Sequence, residues 1–350
     1  MDAVTKLPWA AVWKRLRWVG VFMLAAILVR LPAITTLPID WDEPVYMEAS
    51  MANAEAIRQR NWSVLLQPSI NPEHPGLVKL VYGVSLLGLG PDPDLIERVA
   101  SIRGLSMVAG LGTVGLAAWV HPVAGLALAV HTIHAKYSVQ GYLDSLPLLW
   151  MGFAMILGWR HRTQPGSRLM LLAAACWGAA IAGKWLHGMP GVVLLAIIPG
   201  KLAKLRFLAI ALVWAVGLDP GMWMDPAGRV VAMIEAHQAY SVDVAGQSAY
   251  WAPLWHLGVG GPASWHPESF PFSLDAIWLL LGVGSMVLGW RNPWIRFLGA
   301  WFCVPLVFLV GWQTRWPQHT MVLVLPLCLA VGAGWGEVLS RASRRSEPTD

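Results

Sequence analysis

Long apolar runs separated by short polar segments dominate the chain. They lie at 18–35, 98–119, 122–138, 142–159, 168–183, 185–200, 203–218, 274–290, 294–312 and 319–338. Each is near the roughly 20 residues that carry an α-helix across a bilayer, so the pattern predicts an all-α polytopic membrane protein with about ten transmembrane helices. Two longer polar intervals interrupt the runs, 36–97 and 219–273. In the first, Tyr46, Met47, Met51, Ala54 and Ile57 recur at near-helical spacing behind Pro44, a residue suited to a first helical turn. A juxtamembrane helix over 44–60 is expected, one face on the membrane. The stretch 77–90, "LVKLVYGVSLLGLG", is short for a span and carries Lys79.

Whether 77–90 crosses decides the side of every later loop. Basic residues resolve it, because cytoplasmic loops are enriched in Lys and Arg. If 77–90 stays at the interface, one side receives Lys6, Lys14, Arg15 and Arg17, then Arg160, Arg162 and Arg168, then Lys201, Lys204 and Arg206. Arg291 and Arg296 follow, and last Arg341, Arg344 and Arg345. These clusters hold more than half of the 25 Lys and Arg residues. The expected topology therefore has both termini cytoplasmic, 77–90 interfacial or re-entrant, and 36–97 and 219–273 as extracytoplasmic loops. No small-residue cleavage site follows the apolar run from Trp18, which is expected to remain as the first span. The whole of 1–350 reads as a single integral membrane domain with no separate soluble domain. One tight place is foreseen, the turn at His121-Pro122.

Composition agrees with this picture. The chain is 56% hydrophobic and 13% charged, against about 25% charged in soluble domains. Its 22 Trp residues suit headgroup-level anchoring. Cys176, Cys303 and Cys328 all fall inside apolar runs, so neither a disulfide framework nor a cysteine metal site is expected. No glycine motif for a nucleotide stands on the basic side, and nothing points to a nucleic-acid partner. No internal repeat is visible, and the carboxylates cluster at span ends rather than mid-span, which argues against a transporter with a proton relay.

The candidate chemistry gathers on the outer face. Asp42 and Glu43 stand in "LPIDWDEPVY", directly after the first span; acids there also suit the N-terminus of the following helix. Glu73 and His74 are flanked by prolines in "NPEHPGLVKL". Asp144, Lys184, His187, Asp219, Asp225, His237, Arg315 and His319 share that face. Lys184 and Arg315 also read as snorkelling interface residues, Asp144 as a helix cap, and His237 as an ordinary loop histidine. His131 and His134 share a helix face and read as packing or lining groups.

In combination these segments resemble the GT-C glycosyltransferases, in particular the dolichyl-phosphate-mannose protein mannosyltransferases and the lipid A aminoarabinose transferases. "DEPVY" followed by "EHPGLVK" matches the mannosyltransferases' "DE" pair and "HPPLAK"; the aminoarabinose transferases have an acidic residue and "KPPL" there. "GYLDSLPLLW", "GAAIAGKWLHGMPGVVLL", "GLDPGMWMDPAGRVVAMIEAHQAY" and "TRWPQHTMVLVLPLCLA" follow in the family's order. Gly76 stands where the pattern has its second proline.

The resemblance implies an inverting transferase moving a sugar from a polyprenyl-phosphate donor to an acceptor hydroxyl on the extracytoplasmic side of the cytoplasmic (inner) membrane. It implies Asp42 as general base, with Glu43 positioning the acceptor or serving as a second acid. His74, Lys184, Arg315 and His237 would meet the donor phosphate, and Asp144 would support them. A divalent metal, if used, would fall to Glu73 and His237. The second loop's Trp223, Trp251, Trp255 and Trp265 would cover the site. A second reading keeps the fold but not the chemistry: an accessory subunit working with protein partners.

Overall fold

The computed structural model describes residues 9–67, 70–243 and 249–345, and among these every regular element is helical. α1 (Trp9–Thr36) is the first long apolar helix. Three shorter helices follow, α2 (Glu43–Arg58), α3 (Trp62–Leu65) and α4 (Leu77–Leu86). At 1.5 Å per residue α4 is about 15 Å long. α4 lies on α2, and the approach is close: a Cβ on Gly83 would stand 2.8 Å from the Ser50 carbonyl oxygen.

α5 (Leu95–Val120) starts with a reciprocal capping box, Asp94 accepting from the Glu97 N–H and Glu97 from the Asp94 N–H. The tight turn at His121 is a single extended residue, whose ring accepts from the Val123 N–H at 3.2 Å before α6 (Pro122–Val130) begins. The apolar run 122–138, expected as one helix, is broken. His131 is extended between α6 and α7 (Thr132–Tyr137). Breaking a helix in an apolar setting strands backbone groups, and two distant side chains meet them. Arg30, fully buried, donates to the Ala129 carbonyl (2.8 Å), the Ser138 hydroxyl (2.9 Å) and His134 Nδ1 (2.6 Å). Asp275 accepts from the Thr132 N–H at 3.0 Å and from its hydroxyl.

α8 (Ser145–Thr163) and α9 (Ser167–Gly183) form an antiparallel pair. The run 185–200 is also broken, into α10 (Trp185–Gly188), a 3₁₀ turn Met189–Gly191 and α11 (Val192–Ile197), with Pro190 in the turn. α12 (Lys201–Gly217) leads to the second long connection, which holds α13 (Pro226–Asp243), α14 (Ala252–Gly258) and α15 (Pro262–Trp265). α16 (Asp275–Leu288), α17 (Pro293–Gly311), a 3₁₀ turn Pro317–Thr320 and α18 (Met321–Arg345) complete the chain.

Residues 321–330 of α18 are all buried, against α5, α6, α16 and α17. A helix apolar on every side belongs at the centre of a bundle. Among the described residues, four stretches are by length and composition long and apolar enough to cross a membrane: Val12–Thr36, Leu95–Val120, Pro293–Gly311 and Pro317–Gly336. Shorter apolar helices accompany them. The three cysteines are free thiols.

Candidate active site

The three acids after α1 go to three different places. Asp40 forms an ion pair with Lys136, which also donates to Gln140 Oε1 at 2.8 Å. Burial works against the Asp40 carboxylate, but the Lys136 ammonium and its hydrogen bond hold the carboxyl below its ordinary range. Glu43 is buried and fully engaged. Arg103 donates to both of its oxygens, Nε to Oε1 at 2.9 Å and Nη2 to Oε2 at 2.7 Å. The N–H groups of Gly141 (2.6 Å) and Asp40 (2.8 Å) donate to it as well. Arg103 also donates to the carbonyls of Ile34, Leu37 and Pro38, so it closes the C-terminal end of α1. Asp42 alone faces a cavity. It stands at the N-cap position of α2, where the helix dipole favours a negative charge, but makes no side-chain capping bond. Its Oδ2 accepts from Gln318 Nε2 at 3.2 Å and lies 3.5 Å from the Tyr46 hydroxyl. Burial raises the Asp42 carboxyl above its ordinary pKa, and the nearby Lys184 ammonium opposes that shift.

The segment carrying Glu73 and His74 is irregular and gripped from below. Lys79 Nζ, fully buried, donates to the carbonyls of Ile70 (3.2 Å), Asn71 (2.9 Å) and His74 (3.1 Å). Arg229 donates to the carbonyls of Pro72 (2.6 Å) and His74 (2.9 Å). The His74 ring lies near Tyr46, centroids 6.2 Å apart, and near His237 at 6.5 Å. Burial, then the positive charge of Lys184 and Lys79, pushes the His74 imidazole well below its ordinary pKa. Burial and Lys184 lower His237 as well.

Lys184 breaks the helix between α9 and α10 and turns its ammonium inward. It donates to both oxygens of Asp144, at 3.0 and 2.8 Å, and His187 Nε2 donates to Asp144 Oδ1 at 2.8 Å. All three side chains are buried, so Lys184 is no snorkelling residue and Asp144 makes no capping bond.

Asp42, Tyr46, Glu73, His74, Lys184 and His237 line one polar cavity of about 350 Å³, together with Trp41, Gln318 and His319. A second cavity of about 670 Å³ adjoins it, lined by apolar groups that include Ile181, Trp185, Val230, Met233 and Phe308. His237 lines both. Its ring packs on Trp312 at 4.7 Å and edge-on to Trp185 at 5.7 Å. A third, small cavity of about 10 Å³ shares His74 and Lys184 with the polar cavity and Trp185 and Trp312 with the apolar one.

Several expected placements differ. Glu43 does not line the cavity, because Arg103 turns it into the protein. Arg315 does not line it either: its guanidinium turns back to the Val310 carbonyl (3.0 Å) and lies over the Tyr250 ring at 4.5 Å. Trp223, Trp251, Trp255 and Trp265 line neither cavity; Trp41 and Trp316 border the polar one instead. Glu73 and His237 border the same cavity, yet among the described residues no group of three or more His, Cys, Asp or Glu side chains is arranged for a metal ion. Tyr46 stood in the "DEPVY" signal without an assigned role, and Gln318 lay within "TRWPQHT". Neither shows its contact with Asp42 in its own local pattern.

No protein-family model matches the chain. The undecaprenyl phosphate-alpha-4-amino-4-deoxy-L-arabinose arabinosyl transferase of Photorhabdus laumondii subsp. laumondii is 26% identical over 220 residues, 55% of this chain and 35% of that protein. ArnT from Cupriavidus metallidurans bound to undecaprenyl phosphate superposes with a TM-score of 0.62 at 18% identity, covering 93% of this chain and 63% of that one. Its apo state gives 0.60 at 16% identity, covering 94% and 61%. The chain thus spans about a third of the curated relative and under two thirds of the solved chains. It has the ArnT fold and, over 220 residues, resembles the arabinosyl transferase in sequence.

Proposed function

We propose that the protein is a membrane glycosyltransferase that moves a sugar from a polyprenyl-phosphate donor to an acceptor hydroxyl. The observation that carries this reading is the meeting of a polar and an apolar cavity at His237. A polyprenyl-phosphate sugar has the same two parts, a charged head and a long hydrocarbon. In this reading the chain crosses the cytoplasmic (inner) membrane about ten times, with both termini cytoplasmic and the loops 36–97 and 219–273 outside. Those boundaries follow the basic-residue pattern.

Asp42 is the general base. It takes the acceptor's hydroxyl proton as that oxygen bonds to the anomeric carbon from the face opposite the phosphate. The carbon–oxygen bond to phosphate breaks, its electron pair stays on the phosphate oxygen, and the configuration inverts. A carboxylate whose proton affinity is raised by burial suits the role. Lys184, oriented by Asp144, with His74 and His237, borders the place where the phosphate charge develops. Both imidazoles are lowered by burial and so are neutral near pH 7; a phosphate beside them favours their protonated forms.

The test is transfer from an undecaprenyl-phosphate-linked sugar by purified protein. Asp42→Asn should lower turnover by about 10²–10⁴-fold while the melting temperature holds. Full activity in that variant would sink the assignment.

A further inference from the structure

The Glu73–His74 edge of the cavity is held from a distant part of the chain. Lys79 and Arg229 grip its carbonyls, which places two cations close together in a buried setting. Asp219, 2% exposed, opens the second long connection. Burial raises the Asp219 carboxyl above its ordinary range, and the Gly76 N–H, Arg229, Lys79 and the Gly221 N–H oppose that shift. The carboxylate sits directly on Gly76: a Cβ there would be 2.6 Å from Asp219 Oδ1. A proline at 76 would add that Cβ and remove the N–H. The departure from the double-proline pattern is therefore matched by a carboxylate occupying the space.

We propose that Asp219 and Arg229 are positioning residues that set the Glu73–His74 edge of the cavity, with Gly76 as the seat of the Asp219 carboxylate. Arg229 fixes the backbone of the edge, and the Asp219 carboxylate, seated on Gly76, fixes where the edge ends. Glu73 and His74 are then registered to α13 and the start of the second connection rather than by their own loop. Its kinetic consequence rests on the transferase reading; the contact itself does not.

A double-variant cycle tests both. Gly76→Ala should lower kcat by about 10–100-fold, the scale of a misplacement near 1 Å, with donor KM nearly unchanged, and should lower Tm. Asp219→Gly should also lower kcat. In the Asp219→Gly background the added Gly76→Ala should cost nothing further in kcat or Tm, because the carboxylate it collides with is gone. Wild-type kcat in Gly76→Ala, or penalties that simply add in the double variant, would overturn the proposal. A wild-type protein that transfers no sugar, with the Tm cycle still non-additive, would overturn the transferase reading and the positioning role with it, leaving only the contact.

Discussion

Asp42 and Glu43 are adjacent and have opposite fates. Glu43 is fully taken up by Arg103 and two backbone amides, whereas Asp42 keeps an oxygen toward the cavity. The difference predicts opposite responses to substitution. Arg103→Met leaves the Glu43 carboxylate buried without its cation, at a cost of about 3–5 kcal/mol; denaturation in mild detergent would measure it. Asp42 behaves in the other sense. Its folded-state pKa is raised by burial, so its stabilising contribution is present at low pH and is lost as pH rises through the folded value. Asp42→Asn should therefore match or exceed the wild-type Tm at pH 7 and lose that advantage toward pH 4. An Asn variant less stable at pH 7 than at pH 4, relative to wild type, would contradict the sign. Neither fate is legible in "DWDEPVY", because the cation that claims Glu43 lies 60 residues away along the chain.

At the scale of elements, breaks in helices decide where the polar groups go. Lys184 reaches Asp144 because α9 stops at Gly183 and α10 starts at Trp185. The break at His131 depends on Arg30 and Asp275, and apolar periodicity over 122–138 carries no sign of either. Pro190, by contrast, is a breaker visible in the sequence. Loop helices contribute as much as the long ones. α4 supplies Lys79 and packs on α2, which carries Tyr46. That contact depends on Gly83, whose missing side chain admits the Ser50 carbonyl and Asn53 Cβ. Gly83→Val should cost about 1–3 kcal/mol by overpacking and should lower turnover along with Tm, since α2 borders the polar cavity and α4 carries Lys79, which grips its Glu73–His74 edge. A Gly83→Val protein with wild-type Tm and turnover would show that the two helices are not held by this contact.

Over the whole molecule, the polar and apolar cavities are assembled from segments spread between Trp41 and His319. If the apolar cavity holds the donor's hydrocarbon, narrowing it should penalise long donors selectively. Met233→Trp is expected to raise KM for an undecaprenyl-phosphate sugar by about tenfold, the effect of losing roughly 1.4 kcal/mol of binding, and to leave a short-chain donor nearly unaffected. Equal effects on both donors would point away from a lipid role for this cavity. Arg315 and Gln318 show how fine the spatial selection is. They are three residues apart at the start of the Pro317–Thr320 turn, yet Gln318 meets Asp42 while Arg315, just before it, folds back onto Val310.

The sequence by itself determined the all-helical, membrane-compatible character and the family-like order of the motifs that carry Asp42, Glu73, His74, Lys184 and His237. Those are properties of run length, local composition and order, which need no knowledge of neighbours. Only the tertiary structure decided which acids are neutralised, which cation supports which, and where the two cavities meet. Buried charges are settled by partners dozens to hundreds of residues away, and the strength of that pairing depends on burial and distance, which a linear pattern does not contain.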